Sequence, residues 1–251
     1  MILPPLLDDW LRASLKKRGY VFMRQTNPYH HLGRRIQLMR SYSIDLVLDV
    51  GANSGQYARR LRSLGYSGQI VSFEPMHKPF LELQAAAAAD GNWSCMQCGL
   101  GDADEAMTIH VSENSVSSSL LPMLASHDLH APKSKFIDDE QIQIKRLDAL
   151  SVQQGWTQHR NTWLKIDVQG YEHKVLAGAA AMLPEVAALQ LELSLVPLYS
   201  GQLTLIPMLE LLADLGFDPV AFEPGFEDKA TGEYLQVDGI FRNRLMKTAG
   251  C

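Results

Sequence analysis

The chain has 251 residues, 46% of them hydrophobic and 20% charged, which allows one large domain with a full core and excludes a disordered polypeptide. A net charge of -5, from 23 basic and 28 acidic residues, offers no surface for tracking phosphates; a small polar or neutral substrate is expected, and nucleic acid is not. Three cysteines argue against a disulfide framework, and Asp8 and Asp9 interrupt any signal-peptide pattern, so a reducing, cytoplasmic setting is expected. No apolar run approaches the ~20 residues that cross a bilayer.

Leu6, Leu7, Trp10, Leu11 and Leu15 recur at helical spacing ahead of Lys16, Lys17 and Arg18, where cations suit a helix C-terminus. This predicts an N-terminal helical extension over residues 1–41, packed on the main domain or on a second subunit, which leaves a homodimer open. A weak membrane-surface anchor is the alternative, and the two aspartates count against it. From residue 42 to 251 the pattern is that of the main domain. Short apolar runs at 46–50, 70–73, 164–166 and 189–195 read as buried strands, with helices at 57–64 and 80–89 between them. Such alternation predicts an α/β fold with a parallel sheet covered on both faces. Segments 219–222 and 234–242 are strand-like and joined by a turn-rich loop, which predicts an antiparallel pair at one edge. Residues 99–161 are too long for a simple connection. Within them 107–111 and 141–147 alternate as a half-buried hairpin, and the serine- and histidine-rich stretch 113–139 is expected to lie over the mouth of the site, where specificity is usually set.

The strongest chemical signal is the run from Leu46 to Tyr57, in which a buried strand ends in Asp49, turns through Gly51 and Gly55, and opens a helix. Ligands of open α/β sheets bind at the carboxyl ends of strands, which places this turn at a site. The spacing is G-x-x-x-G rather than G-x-G-x-x-G, and it favours a cofactor with a charged amino-acid tail over a pyrophosphate. Glu74, in Phe73-Glu74-Pro75, ends the second strand, where a carboxylate accepts both hydroxyls of a ribose. Nicotinamide dinucleotides and S-adenosylmethionine share that ribose, so Glu74 alone does not separate them. Gly101 and Asp102 follow the third strand, where an adenine amino group would be read; an ordinary turn is the other reading.

Taken together, Asp49-Val-Gly-Ala-Asn53-Ser-Gly55, Phe73-Glu74-Pro75, Leu100-Gly101-Asp102, Arg146-Leu-Asp148-Ala-Leu150, Leu164-Lys-Ile-Asp167-Val-Gln169-Gly170-Tyr-Glu172 and Asp238-Gly-Ile-Phe241 resemble the FkbM family of S-adenosylmethionine-dependent methyltransferases over about residues 44–243. The resemblance implies a class I methyltransferase sheet, Rossmann-like and doubly wound, mostly parallel with an antiparallel last strand. It implies O-methylation of a sugar, glycolipid or glycosylated natural product, a small-molecule or glycoconjugate acceptor. It makes Asp49, Gly51, Ala52, Asn53, Gly55, Tyr57, Glu74, Gly101, Asp102 and Asp167 the expected cofactor-binding residues. One departure is plain. The family's usual Asp-Val-Glu-Gly is Asp167-Val168-Gln169-Gly170 here, and an amide cannot act as a base.

A sugar hydroxyl is a poor nucleophile, so a base should help. Asp167, at the end of its strand, is the first candidate, with a cap on the following helix as its alternative role. Glu192 is the second, because strand alternation puts Gln190, Glu192 and Ser194 on one face of an apolar strand. His173 could instead supply the base; His127 and His130 read as solvated loop residues. Asp167, Glu192 and Asp238 would be the ligands if Mg²⁺ were used, but no metal is the expectation. Cys95 and Cys98 lack the partners of a zinc site and read as buried thiols. Two other readings remain: a dinucleotide-dependent oxidoreductase, disfavoured by the glycine spacing, and a non-catalytic cofactor-binding module, kept open by Gln169.

Overall fold

The computed structural model describes residues 11, 13–20, 23–124, 134–156 and 161–246. In chain order its main elements begin with α1 (His31–Ser41), β1 (Leu46–Val50), α2 (Gln56–Ser63), β2 (Gln69–Phe73), α3 (His77–Ala88) and β3 (Trp93–Met96). Three strands follow, β4 (Gly99–Leu100), β5 (Glu105–Ser112) and β6 (Phe136–Lys145), then α4 (Leu147–Gln154), β7 (Thr162–Ile166) and α5 (Glu172–Ala177). The chain closes with β8 (Val186–Ser194), α6 (Leu205–Asp214), β9 (Phe217–Pro224) and β10 (Gln236–Asn243).

Mostly apolar runs make the centre of the sheet, and every residue of β1 and β7 is buried, Asp49 and Lys165 included. The strand order is β3-β2-β1-β7-β8-β10-β9. The first five run parallel, and β10 is antiparallel to both β8 and β9. This is a Rossmann-like α/β fold of the class I methyltransferase kind, and the last strand is antiparallel as the sequence implied. The chain winds outward from β1 in one direction and from β7 in the other, so β1 and β7 flank the point where ligands bind in such sheets. Residues 99–145 build a second sheet of order β4-β6-β5, in which β5 and β6 form the expected hairpin. Among the described residues no helix is long and apolar enough to cross a membrane.

Helices α1, α2 and α3 cover one face of the main sheet through Leu32, Ile36, Met39, Ala58, Leu61 and Leu83. Helices α4, α5 and α6 cover the other through Leu147, Val175, Leu176, Met208 and Leu212. Segment 31–41 is thus part of the core of the main fold. Of the more N-terminal heptad-like stretch, Leu6, Leu7 and Trp10 lie outside the described residues, while residues 13–17 are helical.

The face under α1 and α2 changes character along the strands. Val47, Trp163, Ala188 and Ile240 make it apolar toward the amino ends of the parallel strands. Two residues on, the same face carries Asp49, Lys165 and Gln190, and Asp238 lies on it two residues before Ile240. Ladder partners share a face. Asp49 is paired with Ser72 and Lys165, Lys165 with Gln190, and Asp238 with Glu192 and Glu223. A band of polar side chains therefore crosses the sheet at its carboxyl end, beneath two helices. Burying it requires partners for every charge.

Candidate active site

A cavity of about 460 Å³ opens over this band, within the size range of small-molecule sites. Its floor is the glycine turn, and three of the expected residues, Gly51, Ala52 and Asn53, line it. Gly51 has φ +75°, and a Cβ there would stand 1.8 Å from the Asp167 carbonyl oxygen, so the β1 turn packs backbone to backbone on the β7 end. Gly55 starts α2 in the left-handed region and a side chain would collide with Trp93; its role is packing, since it does not line the cavity.

Glu74 lines the cavity with only 3% of its surface exposed. One carboxylate oxygen accepts Asn53 N–H at 2.8 Å and the other accepts Met76 N–H at 2.9 Å. Burial pushes its carboxyl up to about 7, against those two hydrogen bonds. The group braces the glycine turn while keeping lone pairs toward the cavity. Beyond Glu74 the wall becomes apolar, with Met76, Cys98, Leu100, Ile109, Ile142 and Ile144. The last four come from the inserted sheet, so that insertion builds this end of the cavity. Ser115, Val116, Ser118 and Leu120 of the following loop also line it, and Asn53 donates its amide to Ser115 Oγ at 3.1 Å. These loop residues form part of the wall; residues 125–133, with His127 and His130, lie outside the described residues.

The opposite end is polar, lined by Arg35, Tyr57, Arg60, Lys165, Asp167, Gln169, Gln190 and Asp238. Lys165 is 7% exposed and forms ion pairs with Asp49 at 3.2 Å and Asp167 at 3.5 Å. Its ammonium also donates to the Gly51 carbonyl at 3.0 Å. Burial alone would lower the lysine, but the Asp49 and Asp167 carboxylates outweigh it and hold it raised. Asp49, fully buried, does not line the cavity and reaches the glycine turn through Lys165. Tyr57 donates its hydroxyl to Gln190 at 2.8 Å, under the Arg35 guanidinium, which itself pairs with buried Glu223.

Gln169, the residue that departs from the usual pattern, sits at the middle of the polar end with φ 55°. Its Nε2 donates to Asp167 at 2.9 Å and to Glu192 at 2.8 Å, and its Oε1 accepts the Tyr199 hydroxyl at 2.8 Å. Gln236 gives a second amide hydrogen to the same Glu192 oxygen at 2.7 Å. Burial, then the charges of Asp167 and Asp238, raise the Glu192 carboxyl well above its usual range. Glu192 stands behind Gln169 and is not part of the cavity lining.

Several sequence expectations are placed differently. Helix α5 has no side-chain cap hydrogen bond, so Asp167 is not that cap; Glu172 accepts the Val168 and Gly170 N–H groups at 3.1 Å in the turn before it. Gly101 and Asp102 lie beyond the cavity: Gly101 is packed under Tyr171 and Ile144, and Asp102 pairs with Lys174 at 2.7 Å. His173 is also off the lining, its imidazole lowered by burial and by Lys174. Of the two thiols only Cys98 is buried; Cys95 is half-exposed. Among the described residues no three His, Cys, Asp or Glu side chains gather to hold a metal ion. Asp167, Glu192 and Asp238 do not fit one, because an ammonium and two amides already occupy the first two. Sequence reasoning passed over Lys165 and Arg35. The signal for Lys165 was a lysine inside a five-residue buried strand, which demands a buried acid nearby.

The family description "Methyltransferase FkbM domain" matches residues 49–219, which contain the glycine turn, Glu74 and the Asp167–Glu172 segment. The chain belongs to the FkbM methyltransferase family. A relative described as the 2-O-methyltransferase NoeI of Sinorhizobium fredii (strain NBRC 101917 / NGR234) is 26% identical over 217 residues, covering 82% of this chain and 88% of its own. Among solved structures, magnesium protoporphyrin IX methyltransferase from Synechocystis PCC 6803 with bound SAM superimposes with a TM-score of 0.43 at 13% identity, over 96% of this chain and 98% of that one. TehB from Haemophilus influenzae superimposes with a TM-score of 0.45 at 10% identity; it is matched over 84% of this chain and 62% of that one, under two thirds of its length. Within this FkbM methyltransferase the matched segment also explains Asp148, which lies off the cavity. Its carboxylate accepts Ala181 and Met182 N–H groups and fixes the turn before β8.

Proposed function

We propose that the chain is an S-adenosylmethionine-dependent O-methyltransferase that acts on a hydroxyl of a sugar, glycolipid or glycosylated natural product. The observation that carries this reading is the two-ended cavity: apolar beyond a buried Glu74, and densely hydrogen-bonded at Asp167 and Gln169. The apolar end suits an adenine, Glu74 suits ribose hydroxyls, and the Asn53 to Tyr57 turn with Arg60 suits a charged amino-acid tail. The designation of the relative as a 2-O-methyltransferase supports oxygen as the acceptor.

S-Adenosylmethionine supplies an electrophilic methyl group on a sulfonium. The chain's own task is alignment and exclusion of water. Lys165 ties the β1 turn to the β7 end, and Gln169 fixes Asp167 and Glu192 relative to each other. Both are rigid placements made by strands and short turns rather than by long loops. No step is assigned to a metal ion.

Thermal unfolding with S-adenosylmethionine, S-adenosylhomocysteine and NAD tests the cofactor assignment. A ligand at ~100 times its dissociation constant adds about 2.7 kcal/mol, a shift of several degrees for a domain of this size. The two sulfur compounds should shift the midpoint. A shift with NAD alone, or with none of them, contradicts the reading.

A further inference from the structure

We propose that Asp238 of β10 is the catalytic base of this site, taking the proton of the acceptor hydroxyl; this rests on the O-methyltransferase reading above. Three carboxylates line the cavity, Glu74, Asp167 and Asp238, and they differ in what already holds them. Both oxygens of Glu74 accept backbone N–H groups at the ribose end. Asp167 shares the Lys165 ammonium at 3.5 Å and accepts the Gln169 amide at 2.9 Å, so its carboxylate is already engaged by partners within the chain. Asp238 has no hydrogen bond and no ion pair among the described residues, although it is partly buried on the polar band, beside buried β8, and lines the cavity. A carboxylate in such a place is left to a ligand, since burying it without a partner is costly.

The groups around it set its basicity. Burial comes first, then the charge of Asp167, opposed by Arg35 of α1; Glu223 of β9 raises it further and Lys165 of β7 lowers it. Glu192 of β8 faces it across the ladder, and the charge of Asp238 helps to raise the Glu192 carboxyl. The carboxyl is pushed up to about 6, so near neutral pH it is ionised yet more basic than an ordinary aspartate. In the transfer step the acceptor oxygen bonds to the methyl carbon, and the carbon–sulfur bond breaks with its electron pair left on sulfur. The hydroxyl proton passes to an Asp238 Oδ atom and leaves from there to water.

The test compares wild type with Asp238→Asn by two readouts. The first needs no acceptor: calorimetric affinities for S-adenosylmethionine and S-adenosylhomocysteine from pH 5 to 8. A carboxylate facing the methyl group favours the sulfonium over the neutral thioether once ionised, so the affinity ratio in wild type should rise ~5-fold or more through about pH 6. That part of the rise should be missing from Asp238→Asn, with the affinity for S-adenosylhomocysteine held within about twofold. The second readout is transfer of labelled methyl to free sugars and their methyl glycosides. Turnover should fall ~100-fold or more, and the acid limb near pH 6 should vanish from the rate profile. A variant that keeps the acid limb, or turnover within threefold, overturns the assignment. If wild type methylates none of the sugars, the acceptor class falls instead, and the affinity ratio alone decides: its loss in the variant supports Asp238, its persistence overturns it. Should Asp238→Asn fail to fold, Asp238→Ser gives the same two readouts.

Discussion

Gln169 shows how one atom changes a site. Its amide donates two hydrogens to two carboxylates and accepts one from Tyr199, so both of its donors are used. A carboxylate in its place would remove both donors and set a third negative charge against Asp167 and Glu192. Gln169→Glu should therefore lose about 2 kcal/mol or more, and its melting midpoint should fall by ~4 °C or more at pH 7.5. A midpoint within one degree of wild type would remove the clamp from the account. Sequence alone showed the departure and raised the reading of a lost catalytic acid. It did not show that the amide bridges two acids 2 and 23 residues away, because only the register of β7 and β8 brings them together. Glu74 was legible as an acid at the end of the second strand, but its bracing of Asn53 and Met76 depends on turn geometry that no motif states.

At the scale of elements, α1 is the one whose importance the sequence understated. Residues 1–41 read as an extension, yet Leu32, Ile36 and Met39 enter the core and Arg35 lines the cavity. The guanidinium lies on the Tyr57 ring and pairs with Glu223, a carboxylate 2% exposed. Removing one member of a buried pair strands the other, at ~3–5 kcal/mol, whereas replacing both with apolar residues costs little. Arg35→Met should be strongly destabilised, and Arg35→Met combined with Glu223→Leu should recover most of the loss in denaturant titration. Additive losses in the double variant would mean that α1 is held by its apolar contacts alone. The strands themselves were legible, since runs such as Leu46–Val50 are apolar but for a single acid, and so was the hairpin, whose residues alternate. What the alternation left open was the direction the hairpin faces. Ile109, Ile142 and Ile144 turn toward Met76 and the cavity.

Across the whole molecule, the polar band makes stability depend on pH. Glu172 is 3% exposed and burial pushes its carboxyl from 4.5 to about 7, opposed by the Val168 and Gly170 N–H groups. Between those values the native state keeps a proton that the unfolded chain has lost. Stability from this group therefore falls as pH rises through the window and levels off above about 7. Glu172→Gln retains an acceptor for the backbone and has nothing to titrate, so its midpoint relative to wild type should rise between pH 5 and pH 8. A constant offset would show that the carboxyl is not held neutral. The order of strands and the place of the cavity followed from the alternation of elements and the glycine turn; the charges that partner one another across it did not, because they come from α1, β1, β7, β8, β9 and β10 at once. The measurement closest to the central claim is transfer of labelled methyl from S-adenosylmethionine to a panel of free sugars and methyl glycosides, with and without a metal chelator. Saturable label in an alkali-stable ether, unaffected by the chelator, is the expected result. Label only in a base-labile ester, or in no sugar at all while the cofactor still binds, would contradict it.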